Sequence, residues 1–207
     1  MRHCLLVVLV LASCLTLLGC GNATKIGEIT VSYDEDADFS QFQTFTVLTR
    51  ELVPDAREPD EEEELFDELV NDLIIEAMTS EPVCMTFIPP EEVTEENEPD
   101  LFAGNGLSRR TEEGTTWKCV GGWWWGRWGA FWDPCAWLVA VPIEFEVGSL
   151  LIPVGPRPEE GEDPAPVFTG LGEAALQSQS NVERKVRIAV EEIFDQWPER
   201  RTCATSP

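Results

Sequence analysis

The side chains that could do chemistry fall into three groups: tryptophans, carboxylates and cysteines. Seven tryptophans crowd one stretch: Trp117, Trp123, Trp124, Trp125, Trp128, Trp132 and Trp137, with Phe131 and several glycines among them. Such rings can stack on sugars, sit at a lipid–water interface or anchor a protein contact, because each joins an apolar body to a polar N–H. The stretch has too little helical or strand period to bury them all. It reads either as an internally packed loop or as a candidate binding surface. The 39 Asp and Glu residues could supply paired carboxylates. Two of them about 5–10 Å apart across a cleft can hydrolyse a glycosidic bond without histidine. With so many acidic residues a pair alone identifies nothing, and no catalytic residue is assigned.

Histidine chemistry is excluded by position. The one histidine is His3, inside an N-terminal leader. Met1 and Arg2 open that leader with a positive charge. An apolar run from Cys4 to about Leu18 follows, too short for a membrane span of roughly 20 residues but suited to a secretory signal. It ends in Leu17-Leu18-Gly19-Cys20, which resembles the bacterial lipobox. That resemblance implies cleavage before Cys20 and acylation of its thiol and new N-terminus. An ordinary signal peptide ending near a cysteine is the alternative. Each buried methylene adds about 0.8 kcal/mol of membrane affinity, so several acyl chains hold essentially permanently. By resemblance to the sorting rule of enteric bacteria, Gly21 after the cysteine favours the outer membrane. The expected location is the outer membrane facing the periplasm, with the cell surface as the alternative. Residues 1–19 are then the removed signal. Residues 20–25 are the lipidated cysteine and a tether reaching no more than roughly 20 Å.

Loss of the signal takes Arg2 from 14 Lys and Arg, leaving thirteen against 39 acidic side chains. Nucleic acid is therefore not an expected partner. The expected partners are the membrane, through the anchor, and an envelope protein or glycan. Four cysteines remain beyond the anchor: Cys84, Cys119, Cys135 and Cys203. An even number in an oxidising compartment favours disulfides. Cys119–Cys135 is the preferred pair of the three possible pairings, because it would close the Trp-rich segment into a loop worth about 3 kcal/mol in the entropic model. The spacings lack C-x-x-C, so no zinc site is assigned. Asp34, Asp36 and Asp38 begin like an EF-hand loop, but Phe39 and Phe45 occupy the positions of its glycine and bidentate glutamate, which leaves an acidic turn. No metal or cofactor is expected, and the chain is not expected to be an enzyme.

The elements that must position these groups read as α+β: an antiparallel sheet with two amphipathic helices packed on it, plus a Trp/Gly-rich loop. One domain spans 26–198. Alternation predicts strands over 26–33, 44–48, 83–88, 138–147, 149–154 and 167–176. Pro142 and Pro153 suggest edge or irregular strands. Residues 49–60 read as a loop. Asp60 is the expected cap of the first helix, whose core face is Leu65, Phe66, Leu69, Val70, Leu73, Ile74 and Ala77, stopping before Pro82. Residues 91–137 form an insertion, acidic loop or partly disordered to 116 and then Trp-rich. Ser180 with Glu183 reads as a capping box for a second helix carrying Val182, Val186, Ala189, Val190, Ile193, Phe194 and Trp197 inward and ending at Pro198. Its basic cluster, Arg184, Lys185 and Arg187, reads as a solvated face paired with acidic neighbours. Residues 199–207 read as a frayed tail, with Cys203 as a tie.

The run from Val31 to Phe45, Val-Ser-Tyr-Asp-Glu-Asp-Ala-Asp-Phe-Ser-Gln-Phe-Gln-Thr-Phe, resembles the opening of a bacterial lipoprotein family, domain of unknown function 4136. Similar in order are the lipobox, the Trp/Gly segment, Gly148-Ser149-Leu150, Phe168-Thr169-Gly170 and Trp197-Pro198. Phe168-Thr169 stands where that family usually has Trp-Arg, and the acidic, Pro-rich 155–166 replaces a tight turn. The resemblance implies location and fold, and it brings no activity. The function read from the sequence is a non-catalytic envelope binding or structural protein held at the outer membrane. The alternative is a carboxylate-based hydrolase or glycan-binding module acting on envelope polysaccharide.

Overall fold

The first strand, β1 (Ile29–Tyr33), alternates over its first four residues, with Ile29 and Val31 turned toward the core and Thr30 and Ser32 exposed, while Tyr33 is exposed as well. The structure is a computed structural model, and it describes residues 27–49, 61–111, 114–119, 148–158, 165–173 and 181–203. After β1, the Asp34 carboxylate accepts the Asp36 N–H at 2.9 Å. Asp38 caps a short 3-10 turn, Phe39–Gln41, by accepting from Ser40. The acidic run is therefore turn chemistry, in which short carboxylates satisfy nearby N–H groups. The remaining elements are β2 (Thr44–Val47), α1 (Glu61–Thr79), β3 (Thr86–Phe87), β4 (Leu101–Ala103), β5 (Gly106–Thr111), β6 (Gly114–Cys119), β7 (Leu150–Gly155), β8 (Phe168–Gly172) and α2 (Val182–Phe194).

Among the described residues, eight strands join one sheet in the order β1-β8-β7-β4-β2-β3, with β5 beside β7 and β6 beside β5. The sheet is mixed, which corrects the antiparallel expectation. Strand β2 runs parallel to both β3 and β4. The reason is local: α1 lies between β2 and β3 in sequence, and a helical crossover returns the chain in the same direction. A second correction concerns residues 91–116, read as loop. They contain β4, β5 and the start of β6. Pro153, expected to mark an edge or an irregular strand, marks an irregular one. Strand β7 is interior, between β8 and β4. The Pro153 carbonyl accepts the Gly104 N–H at 2.9 Å. Its nitrogen faces the same side, at the 104–105 break between β4 and β5, where the ladder is already interrupted and the missing donor costs little. Expected strand 138–147 and the Asp60 cap lie outside the described residues.

One face of the sheet carries the core. Phe45, Val47, Leu101, Ala103, Leu150, Ile152, Val154 and Phe168 pack with Val70, Leu73, Ile74 and Met78 of α1 and with Val186, Ala189, Val190, Ile193 and Phe194 of α2. Both helices were expected; Leu65, assigned to the core face of α1, is 62% exposed instead. At the start of α2, Asn181 rather than Ser180 holds the cap position, in a left-handed conformation with φ 63° and without a side-chain cap bond. Buried Asn105 donates its side-chain amide to buried Asn71 of α1 at 3.0 Å. That buried hydrogen bond ties α1 to the β4–β5 break.

The C-terminal segment is no frayed tail through residue 203. Trp197 is buried against Phe39, Phe168 and Phe194. The Arg201 guanidinium, only 15% exposed, donates to the carbonyls of Phe42 at 2.7 Å and Phe39 at 2.6 Å. Its backbone N–H donates to the Pro82 carbonyl at 2.7 Å. Cys203 is bonded to Cys84. The segment 195–203 is thus a strap joining the end of α2 to the 3-10 turn and to the turn before β3.

Helix α2 lies so close to β8 that a Cβ on Gly170 would overlap Ile193 Cγ2. Gly170→Ala must push α2 away or strain Ile193, and overpacking of this kind costs about 1–3 kcal/mol. Chemical denaturation of Gly170→Ala should show a lower midpoint with an unchanged slope; an unchanged midpoint would contradict the contact.

Candidate functional site

The Trp-rich stretch is rooted in the sheet at two neighbouring points. Gly106 of β5 pairs with Cys119, the last residue of β6, on one side and with Leu151 of β7 on the other. Strands β6 and β7 both run antiparallel to β5, so Cys119 and Leu151, on either side of residues 120–147 in sequence, lie two strand spacings apart, roughly 10 Å. Just before β7, Gly148 takes φ 85° and Ser149 is fully buried. A left-handed residue there needs glycine, which explains the Gly148-Ser149-Leu150 motif.

Of the candidate surface, Trp117 falls on β6, in register with Ser108. Trp123, Trp124, Trp125, Trp128, Trp132 and Trp137 lie outside the described residues, as do Cys20 and Cys135. The Cys84–Cys203 bridge leaves Cys119 and Cys135 as the remaining thiols of the chain beyond Cys20. Sequence reasoning placed Trp197 inside α2; it packs inside the core just beyond that helix.

The carboxylates of the described residues divide by role. Asp100 lies at the start of β4 and accepts three hydrogen bonds on Oδ2: from the Gln43 N–H at 2.8 Å, the Thr44 N–H at 2.9 Å and the Thr44 hydroxyl at 2.9 Å. It returns its own N–H to Thr44 Oγ1 at 3.0 Å. This clamp sets the parallel register of β2 and β4, pairing Phe45 with Leu101. Partial burial pushes the Asp100 carboxyl upward, but the bonds from Gln43 and Thr44 outweigh it and leave the group below its ordinary value. Asp38 is also lowered, by its bonds from the Ser40 hydroxyl and N–H. Sequence reading missed the Asp100 clamp because its partners are 56 and 57 residues away.

A cleft of about 470 Å³ opens between the helices. Leu73, Val190 and Phe194 lie at its floor, and Glu76, Glu81, Glu191, Glu192 and Asp195 stand at its rim. Arg187 crosses it to Glu76 at 2.8 Å, as the basic cluster on α2 was expected to do. Both partners are well exposed, so the pair contributes little. None of the residues lining this cleft is a tryptophan. Among the described residues no three His, Cys, Asp or Glu side chains gather as metal ligands.

The family model described as Domain of unknown function (DUF4136) matches residues 29–199. No match is found among curated proteins. Among solved structures, the chain is similar to a DUF4136 family protein from Bacteroides thetaiotaomicron VPI-5482, with 19% identity and a TM-score of 0.49, over 84% of this chain and 97% of that one. It is also similar to a PDZ domain protein from Parabacteroides distasonis ATCC 8503, with 12% identity and a TM-score of 0.43. There it covers 84% of its own length but 36% of that protein.

The Asp100 clamp predicts a pH dependence. Its folded-state pKa is lowered, so its stabilisation is present above the unfolded value of about 3.9 and is lost as pH falls through the folded value. Asp100→Asn should cost about 1 kcal/mol at neutral pH, the range of a hydrogen-bonded charge partly screened by solvent. The gap to the parent should close below about pH 4. A gap that stays constant to low pH would contradict the charge-assisted clamp.

Proposed function

The chain belongs to the DUF4136 family, over residues 29–199, and from that premise we propose that it is a non-catalytic, lipid-anchored envelope protein that binds an envelope component through its Trp-rich segment. One observation carries the reading: residues 120–147, with six of the eight tryptophans, are inserted between two strands that share β5 as a neighbour. A rigid sheet holding both roots is the usual arrangement for a binding segment.

The location rests on Cys20 following the leader and is supported by the Cys84–Cys203 disulfide, since such bonds persist in oxidising compartments. Among the described residues no helix is long and apolar enough to cross a membrane, consistent with attachment through the acylated cysteine.

Cys20→Ser should move the chain from the membrane to the soluble fraction. Trp123→Ala, Trp124→Ala and Trp125→Ala together should abolish partner recovery in crosslinking pull-downs while leaving the thermal transition unchanged. Undiminished recovery from a folded triple variant would sink the binding claim.

A further inference from the structure

Strand β1 ends the sheet with one side open. Among the described residues it pairs with β8 alone. The ladder fixes which of its backbone groups are used. The Glu173 N–H donates to the Glu28 carbonyl at 2.9 Å, and the Asp34 N–H donates to the Val167 carbonyl at 2.9 Å. In an antiparallel pair every second residue turns its N–H and C=O toward the partner strand. Glu28, Thr30, Ser32 and Asp34 are therefore the residues bonded to β8. Ile29, Val31 and Tyr33 turn their N–H and C=O groups to the open side, over about 14 Å.

Open edges are commonly blunted by lysine, proline, a bulge or short length. Strand β1 has none of these. Its five residues pair in one unbroken register, and none of them is charged or proline. The far end of the same strand order differs: β3 has two residues and is followed by Pro89 and Pro90. The edge is accessible as well, since Thr30 and Ser32 are exposed and Tyr33 is 48% exposed.

We propose that the β1 edge accepts an extended segment of a partner protein as an added strand, with an uncharged middle and a cation at each end. The backbone groups supply the affinity and the side chains supply the choice. Glu28 stands just before the strand, and Asp34, Glu35 and Asp36 stand just after it, all exposed. A second copy of this chain is disfavoured by those charges. Full overlap of two antiparallel β1 strands about Val31 sets Glu28 of each against Asp34 of the other, and like charges placed opposite repel. A segment with Lys or Arg at those two places gains from the same geometry. Ile29 and Val31 are half-buried on the helix face, while Thr30 and Ser32 are exposed on the other. The added segment should therefore alternate apolar and polar residues between its cations. This surface is separate from the Trp-rich segment and does not depend on what that segment binds.

The full chain, isotope-labelled and held in detergent micelles, is titrated with the capped peptide Lys-Val-Thr-Val-Thr-Val-Lys up to about 1 mM, the weak end of specific affinity. Amide exchange is read residue by residue by NMR. In the free chain the Thr30 and Ser32 amides should exchange more slowly than those of Ile29, Val31 and Tyr33. The peptide should slow the second set at least about threefold, as about two-thirds occupancy would give, and leave the first set unchanged. A peptide with Glu in place of both Lys should bind at least about fivefold more weakly, because two cross-strand pairs change sign. Glu28→Lys should narrow that preference. Val31→Pro removes an outward N–H without breaking a bond to β8 and should abolish binding. If Val31→Pro does not fold, the Glu28→Lys result decides. No slowing by the Lys peptide, or equal affinity for the two peptides, overturns the proposal. So do outward amides already slow in the free chain, the sign that the chain covers its own edge. Slowing that follows protein concentration rather than peptide overturns it too, in favour of self-pairing.

Discussion

The close approach of α2 to β8 is the constraint on which the rest depends. Gly170 leaves room for Ile193, and this brings Phe194 onto Phe168, nearly stacked with centroids 5.7 Å apart. One turn later Trp197 enters the same cluster, 4.8 Å from Phe168 and 5.1 Å from Phe39. Large rings in such contact contribute more than their area alone. The chain beyond Trp197 is thereby aimed across the molecule. Arg201 can reach the Phe39 and Phe42 carbonyls, and Cys203 can reach Cys84. A side chain at 170 would disturb all of these contacts together, since neighbouring interactions are coupled.

The same geometry separates a rigid half of the molecule from the half whose tryptophans are proposed to bind. Helices and strap occupy one face and the ends of β1, β2 and β8, joined by the disulfide across 119 residues of sequence. The described residues that flank the Trp-rich segment in sequence lie on the β5 side, where Gly106 pairs with both β6 and β7. Contacts made there would not require the aromatic cluster to open. Stability and binding can therefore be altered independently, as binding segments on a rigid scaffold allow.

Much of this fold is legible in the sequence wherever the signal is local. The 3.6-residue period locates both helices, and alternation locates β1 and β2. Strand β7, buried on both faces, reads as the continuous apolar run Leu-Leu-Ile-Pro-Val. What escapes is non-local. Pairing direction depends on which neighbour a strand finds, so the parallel β2–β4 pair is invisible until Asp100 is seen to clamp Thr44. Strands β5 and β6 are polar and stabilise each other by backbone bonds, leaving no hydrophobic period to read. Arg201 looks like a tail residue because its carbonyl partners lie 159 and 162 positions away. Leu65 fits the helical face yet stays exposed, because it lies in the first turns of α1, outside the buried stretch that begins at Val70. Of the candidate site, the sequence names the tryptophans, while the paired roots at Cys119 and Leu151 emerge only from the register.

The central claim is that the Trp-rich segment touches an envelope component while the chain is held at the membrane. The most direct measurement places a photo-crosslinking amino acid at position 124 of the full-length chain, irradiates living cells and identifies the adducts by mass spectrometry, with a matched probe at exposed Leu65 as the reference. One dominant envelope adduct is expected from position 124 and absent from position 65. Adducts indistinguishable between the two positions, or only self-crosslinks from position 124, would contradict it.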